Sequence, residues 1–186
     1  MKLPTKLRSG LTFTAKLLLK LADYDNSTIQ FVYGPDVSKR VKDFAKTIKR
    51  EDIYTDKEIE GLENNIHTTV LYGIKGTEPK SDKKLPELPL ELEWVGLGKF
   101  TPAEKPYDVL LIKLDKTPEL QELFDQINDN YPDNVNSYPE YVPHTTVAYL
   151  KKGMADKYIK ANPDLFKEVV TDFIREFAFN ENKWKV

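Results

Sequence analysis

An α+β domain is what three observations on this sequence predict. Stretches whose apolar residues recur at helical spacing are interspersed with strand-like runs of uneven length. Gly, Pro, Asn and Asp punctuate the boundaries between them. Two of the strand-like runs open on the same short pattern.

Taken in order, residues 11–22 (LTFTAKLLLKLA) have the spacing of an amphipathic helix, broken by Asp23 to Ser27. The run IQFVY (29–33) is predicted as a strand closed by Gly34 and Pro35. Asp36 then serves as N-cap of a helix to about Arg50, with Val37, Val41, Phe44, Ala45 and Ile48 as its core stripe. Residues 51–66 are polar and turn-like and lead into the strand HTTVLYG. The Lys-, Glu- and Pro-rich segment 75–90 is an exposed loop within the domain. Residues 92–100 and 107–114 are strands that pair as a hairpin across TPAEKP. Thr117 caps a helix with Pro118 in its first position, running to about Asp129. A strand at 142–150, a short helix near 154–160 and a late strand at 173–179 complete the chain.

At 186 residues the chain suits one domain spanning 1–186, with residues 1–28 as an N-terminal extension. With 40% hydrophobic and 31% charged residues it is neither a disordered nor a membrane composition. A net charge of −2 and a pI near 5.8 argue against coating long duplex nucleic acid and leave room for a small nucleotide. The absence of cysteine removes disulfides, thiolate nucleophiles and Cys-based zinc sites. Lys16 and Lys20 interrupt the first apolar stretch, so neither a signal peptide nor a membrane segment is expected, and a cytoplasmic location follows.

The chemistry sits in the repeat. HTTVLYGIKG begins at His67 and HTTVAYLKKG at His144, two copies of H-T-T-V-x-Y-x-x-K-G that hold both histidines of the protein. On a strand, His67 and Thr69 share one face while Thr68, Val70 and Tyr72 share the other. The same holds for His144 and Thr146 against Thr145, Val147 and Tyr149. The second face is apolar and is expected in the core, Tyr72 and Tyr149 included. Imidazole titrates near neutral pH, so two of them can divide the work at a phosphodiester, one taking the proton of the attacking hydroxyl and the other protonating the departing oxygen. Thr69 and Thr146 would hold the non-bridging oxygens. This scheme needs no metal and no cofactor. The competing structural reading makes both units core strands with satisfied histidines.

Among aromatic residues, Tyr141 is the candidate for stacking on a base because it stands close to His144 in sequence, with Tyr33 and Trp184 behind it; Trp94 reads as core. Lys75, Lys151 and Lys152 are candidates to attract phosphate at the cleft rim, against the plainer reading of solvated lysines. There is no G-x-S-x-G elbow, Walker loop or dinucleotide-binding glycine pattern.

The paired H-x-T motifs on strands far apart in sequence resemble the two-histidine (2H) phosphoesterase superfamily across about residues 29–180. The resemblance implies a bilobal α+β fold, with two antiparallel β-sheet lobes, flanking helices and pseudo-twofold symmetry around a central cleft. It also implies catalytic roles for His67, Thr69, His144 and Thr146. Within that superfamily, I-Y-T-D at 53–56, G-L-E at 61–63 and V-L-Y-G at 70–73 look most like the phage anti-CBASS nucleases. Those enzymes degrade cyclic oligonucleotide signals of bacterial immunity, so a small cyclic oligonucleotide is the partner implied, in the host cytoplasm. The long segment 1–28 and the loop 75–90 depart from that pattern. An RNA 2′,3′-cyclic phosphodiesterase or RNA-ligase-like enzyme is the alternative from the same chemistry. A module that sequesters a nucleotide without cutting it is the alternative from another class.

Overall fold

Two strand–helix–strand units build the architecture. The computed structural model describes residues 26–57, 59, 61–75, 89–131, 134, 140–178 and 183–185. The first unit is β1 (Asn26–Val32), α1 (Pro35–Ala45) and β2 (His67–Lys75). The second is β4 (Tyr107–Leu114), α2 (Pro118–Asn130) and β5 (His144–Lys151). Between them runs β3 (Leu90–Phe100), and after them come α3 (Ala155–Ala161), β6 (Lys167–Ala178) and β7 (Lys183–Lys185).

All strand pairings are antiparallel, in the order β1-β2-β5-β4-β3-β6-β7. The sheet also curls back on itself. The first part of β6, Lys167 to Asp172, pairs with β3, and its second part, Phe173 to Ala178, pairs with β1. One long strand thereby joins two lobes, β1 and β2 on one side and β3, β4 and β5 on the other. The helices cross over, with α1 packing against β5 and α2 against β2. Ile29, Phe31, Val41, Leu71, Trp94, Leu110, Ile112, Val147 and Leu150 form the buried core between these layers. Such an arrangement is the bilobal α+β fold that the motif pair implies.

Local chemistry accounts for most element ends. Pro118 opens α2, and the Thr117 hydroxyl accepts the Leu120 N–H at 3.2 Å, as the sequence predicts. The hairpin of β3 and β4 also forms as expected. In α1 two expectations are corrected. The N-cap position is Gly34, with Pro35 taking the first helical position, so Asp36 lies in the first turn and caps nothing. The helix ends at Ala45 rather than Arg50. Thr47 and Ile48 bond back three residues, to Phe44 and Ala45, which tightens the last turn and releases the chain into a 3₁₀ turn at Arg50–Asp52. β1 starts at Asn26, inside the segment assigned to the extension, and β6 begins well before residue 173. The helix expected at 11–22 and most of the loop at 75–90 lie outside the described residues. Among the described residues no helix is long and apolar enough to cross a membrane.

Residues 53–57 and 61–63 have a defined task. They run along the open edge of β5, with Tyr54 N–H donating to the Tyr149 carbonyl at 2.9 Å and Tyr149 N–H to the Gly61 carbonyl at 2.6 Å. Gly61 has φ +90°, and a Cβ there would stand 2.3 Å from Cγ2 of Ile53, so only glycine lets the segment fold this tightly.

Candidate active site

β2 and β5 touch at one residue pair, Thr68 with Thr145. These threonines stand 77 residues apart, and each is the other's counterpart in the repeat. When a residue pairs with its own equivalent in an antiparallel ladder, a local twofold axis passes through the pair. The flanking positions then face each other as His67 with Thr146 and Thr69 with His144. All four lie on the side opposite the buried threonines, as alternation along each strand requires. Beyond this point the strands part, because the edge of β5 is taken by Ile53 and Leu62.

Both copies also bulge at the same place. β1 pairs Gln30 with Thr69 and then Ile29 with Leu71, skipping Val70. β4 pairs Leu111 with Thr146 and then Leu110 with Ala148, skipping Val147. An extra residue reverses the inside–outside order of everything after it. Val70 and Leu71 are therefore both buried, and Tyr72, expected in the core, is 45% exposed. Tyr149 is half-buried, its ring edge-on to Tyr107 at 5.4 Å.

Each histidine is held the same way. Nδ1 of His67 bonds the carbonyl oxygen of Asn65 at 2.5 Å, and Nδ1 of His144 that of Val142 at 2.7 Å. A carbonyl only accepts, so Nδ1 carries the hydrogen in both rings, and in the neutral ring Nε2 is left with its lone pair. The environments differ, however. His144 packs edge-on against Phe100 with ring centroids 4.7 Å apart. Burial lowers its pKa from the ordinary 6.5, and the charge of nearby His67 acts in the same direction, while the bond to Val142 opposes them.

Under the threonine pair lies a closed set of hydroxyls. Thr68 and Thr145 are 2.6 Å apart, and the Tyr33 hydroxyl is 2.7 Å from Thr68 and 3.1 Å from Thr145. Trp94 Nε1–H donates to Tyr33 at 3.1 Å. Tyr33 and Trp94 are thus both core residues that hold the two strands together. Such a buried network is stable because every group in it is satisfied.

The structure therefore brings together His67, Thr69, His144 and Thr146, the four residues singled out from the motif. It does not bring the other candidates there. Lys151 ends β5 seven residues after His144, which at about 3.3 Å per residue is about 23 Å along the strand. Lys75 ends β2 in the same way, and Lys152 follows Lys151, so none of these lysines stands at the rim beside the histidines. Tyr141 is 8% exposed, with one ring face stacked on Phe124 at 4.5 Å, so that face is closed to a base. Trp184 falls in β7, at the far end of the sheet order from β2 and β5. Phe100 was not legible as a site residue, since nothing in β3 marks it; it stands opposite Val109 in the ladder, and only its ring reaches His144. Among the described residues no three His, Cys, Asp or Glu side chains gather as a metal site.

No protein-family profile matches the sequence, and no curated protein matches it. Solved structures do match. One titled as a phosphoesterase superposes with a TM-score of 0.52 at 8% identity, covering 83% of this chain and 88% of its own. E. coli LigT complexed with NADP+ gives 0.47 at 10% identity, over 70% and 73% of the two chains. TT0787 of Thermus thermophilus gives 0.47 at 12% identity, over 81% and 85%. The likeness to the first shows a shared fold.

Proposed function

We propose that this chain is a metal-independent phosphodiesterase with His67 and His144 as its acid/base pair. We further propose that it opens the 3′–5′ linkages of cyclic oligonucleotide second messengers, as a phage counter-defence against CBASS immunity. One observation carries the catalytic reading. Two imidazoles with the same Nδ1 anchor, each with Nε2 left for substrate, flank a single pair of threonines on a local twofold axis. The shared fold with a protein titled phosphoesterase supports this class. Support for the cyclic oligonucleotide comes from the sequence resemblance at 53–56, 61–63 and 70–73 and from the acidic pI.

In this mechanism the neutral His144, kept so by burial, takes the proton of a ribose 2′-hydroxyl. The 2′-oxygen attacks phosphorus, the P–O5′ bond breaks, and His67 as imidazolium protonates the leaving oxygen, giving a 2′,3′-cyclic phosphate. Thr69 and Thr146 donate to the non-bridging oxygens as charge builds there. Because the nucleophile belongs to the substrate, its tethering supplies much of the rate.

The test is product analysis in EDTA with cyclic dinucleotides, cyclic trinucleotides and 2′,3′-cyclic nucleotides, alongside a 2′-deoxy cyclic dinucleotide. Cleavage of the ribose ring but not of its deoxy counterpart is expected. Comparable hydrolysis of both would assign the nucleophile to water, and turnover of 2′,3′-cyclic ends alone would favour an RNA-end enzyme. Binding without turnover of any substrate would mark a sequestering protein.

A further inference from the structure

The two halves of the site are not equally charged. On β4, Lys113 pairs directly with His144 and so stands on the face of the sheet that His144 occupies. The matching position on β1, opposite His67, is Val32. Lys113 is exposed, and its ammonium makes no hydrogen bond or ion pair to any described residue. Its stem has a prepared place on the neighbouring strand. Gly98 of β3 lacks a side chain, and a Cβ there would stand 2.7 Å from Cγ and 2.8 Å from Cδ of Lys113. The stem thereby lies over β3, one strand further from β5 than its own backbone.

We propose that Lys113 binds a second phosphate of the substrate, one nucleotide removed from the phosphate under attack. This rests on the proposed phosphodiesterase reading and specifies its substrate as one with at least two phosphates. Strand spacing decides against the scissile group. Gly98 lies two strands from Thr146, about 10 Å across the sheet, too far for one phosphate to meet both the threonines and a lysine lying over β3. A neighbouring phosphate in a cyclic di- or trinucleotide is displaced by one sugar and falls in that region. A 2′,3′-cyclic mononucleotide has no second phosphate to offer. Since the matching position in the other lobe is Val32, the cation also gives a pseudo-symmetric cleft one preferred direction for its substrate.

Binding of the 2′-deoxy cyclic dinucleotide, measured by calorimetry on the full chain at several salt concentrations, tests this without depending on turnover. Lys113→Gln is expected to weaken binding about tenfold or more. It should also make the affinity less sensitive to salt, because one screened charge contact is lost. Lys113→Arg should restore most of both. Affinity for a 2′,3′-cyclic mononucleotide should not change. The proposal is overturned if the unsubstituted protein fails to bind the cyclic dinucleotide, or if Lys113→Gln binds it with unchanged affinity and salt sensitivity. An equal loss for the mononucleotide also overturns it, because Lys113 would then contact the scissile phosphate. If the lysine variant weakens binding while the unsubstituted protein cleaves no ribose substrate, Lys113 stands and the catalytic reading falls.

Discussion

β2 and β5 carry the same motif, the same bulge and the same histidine anchor, yet their surroundings have diverged. His144 leans on Phe100 with Lys113 beside it, and the edge of its strand is covered by Ile53 and Leu62. His67 has Val32 beside it. Duplication accounts for the geometry of the site. On the proposed mechanism, divergence of the neighbours is what would let the two halves divide the work, since two imidazoles in equivalent settings have no reason to differ.

The strongest way to break this comparison is to remove each histidine. His67→Ala and His144→Ala should each lower kcat for a cyclic dinucleotide by about 10²–10⁴-fold, with circular dichroism unchanged. The double variant should be little worse than either single one, because the pair acts as a unit. Full activity in either single variant would remove that histidine from the mechanism.

The two faces of each strand are sharpened by the threonines. Thr69→Ala and Thr146→Ala remove a hydrogen bond to a charged oxygen, worth about 1.5–3 kcal/mol, and should slow turnover roughly 10- to 150-fold while leaving Tm nearly unchanged. Thr68→Ala or Thr145→Ala instead leaves a fully buried hydroxyl network one partner short, so the cost falls on stability, about 1–3 kcal/mol in denaturant unfolding. Reversal of this pattern would invalidate the face assignment.

The smallest effect separates the two histidines. Phe100→Ala opens the wall against His144 and should raise its pKa back toward the ordinary value. A base must be neutral to act, so the acid limb of kcat/KM moves to higher pH in the variant. The same sign applies to folding. With the folded value lowered from 6.5, the contribution of His144 to stability is complete above that value and is lost as pH falls through the lowered one. An NMR titration of His144 that does not move in Phe100→Ala would detach the shift from that ring.

The four motif residues were legible because alternation along a strand needs no partner to be read, and it held from His67 to Val70. It failed at Tyr72, since a bulge is a property of two strands in register and leaves no mark in the one that carries it. The lysines at 75 and 151 mislead for a related reason. Adjacency to the motif in sequence is not adjacency to the site, because a strand is straight and carries its far end away. Lys113 reaches His144 through the pairing of β4 with β5 and Phe100 through a ring contact from β3, both long-range, so no local pattern marks them. The end of α1 was set by the tight turn at Thr47 and Ile48, where helical periodicity of the apolar residues gave no warning.

The three hydroxyls of Tyr33, Thr68 and Thr145 each touch the other two. A triangle of hydroxyls can point its hydrogens round in either of two senses, and in both senses every oxygen gives one hydrogen bond and receives one. The pseudo-twofold axis through the threonines converts one sense into the other, so the two are near equals in energy. Trp94 donates to Tyr33 in both. The floor beneath the histidines can thus reverse the sense of its hydrogen bonds by rotating three O–H bonds, with no heavy atom displaced.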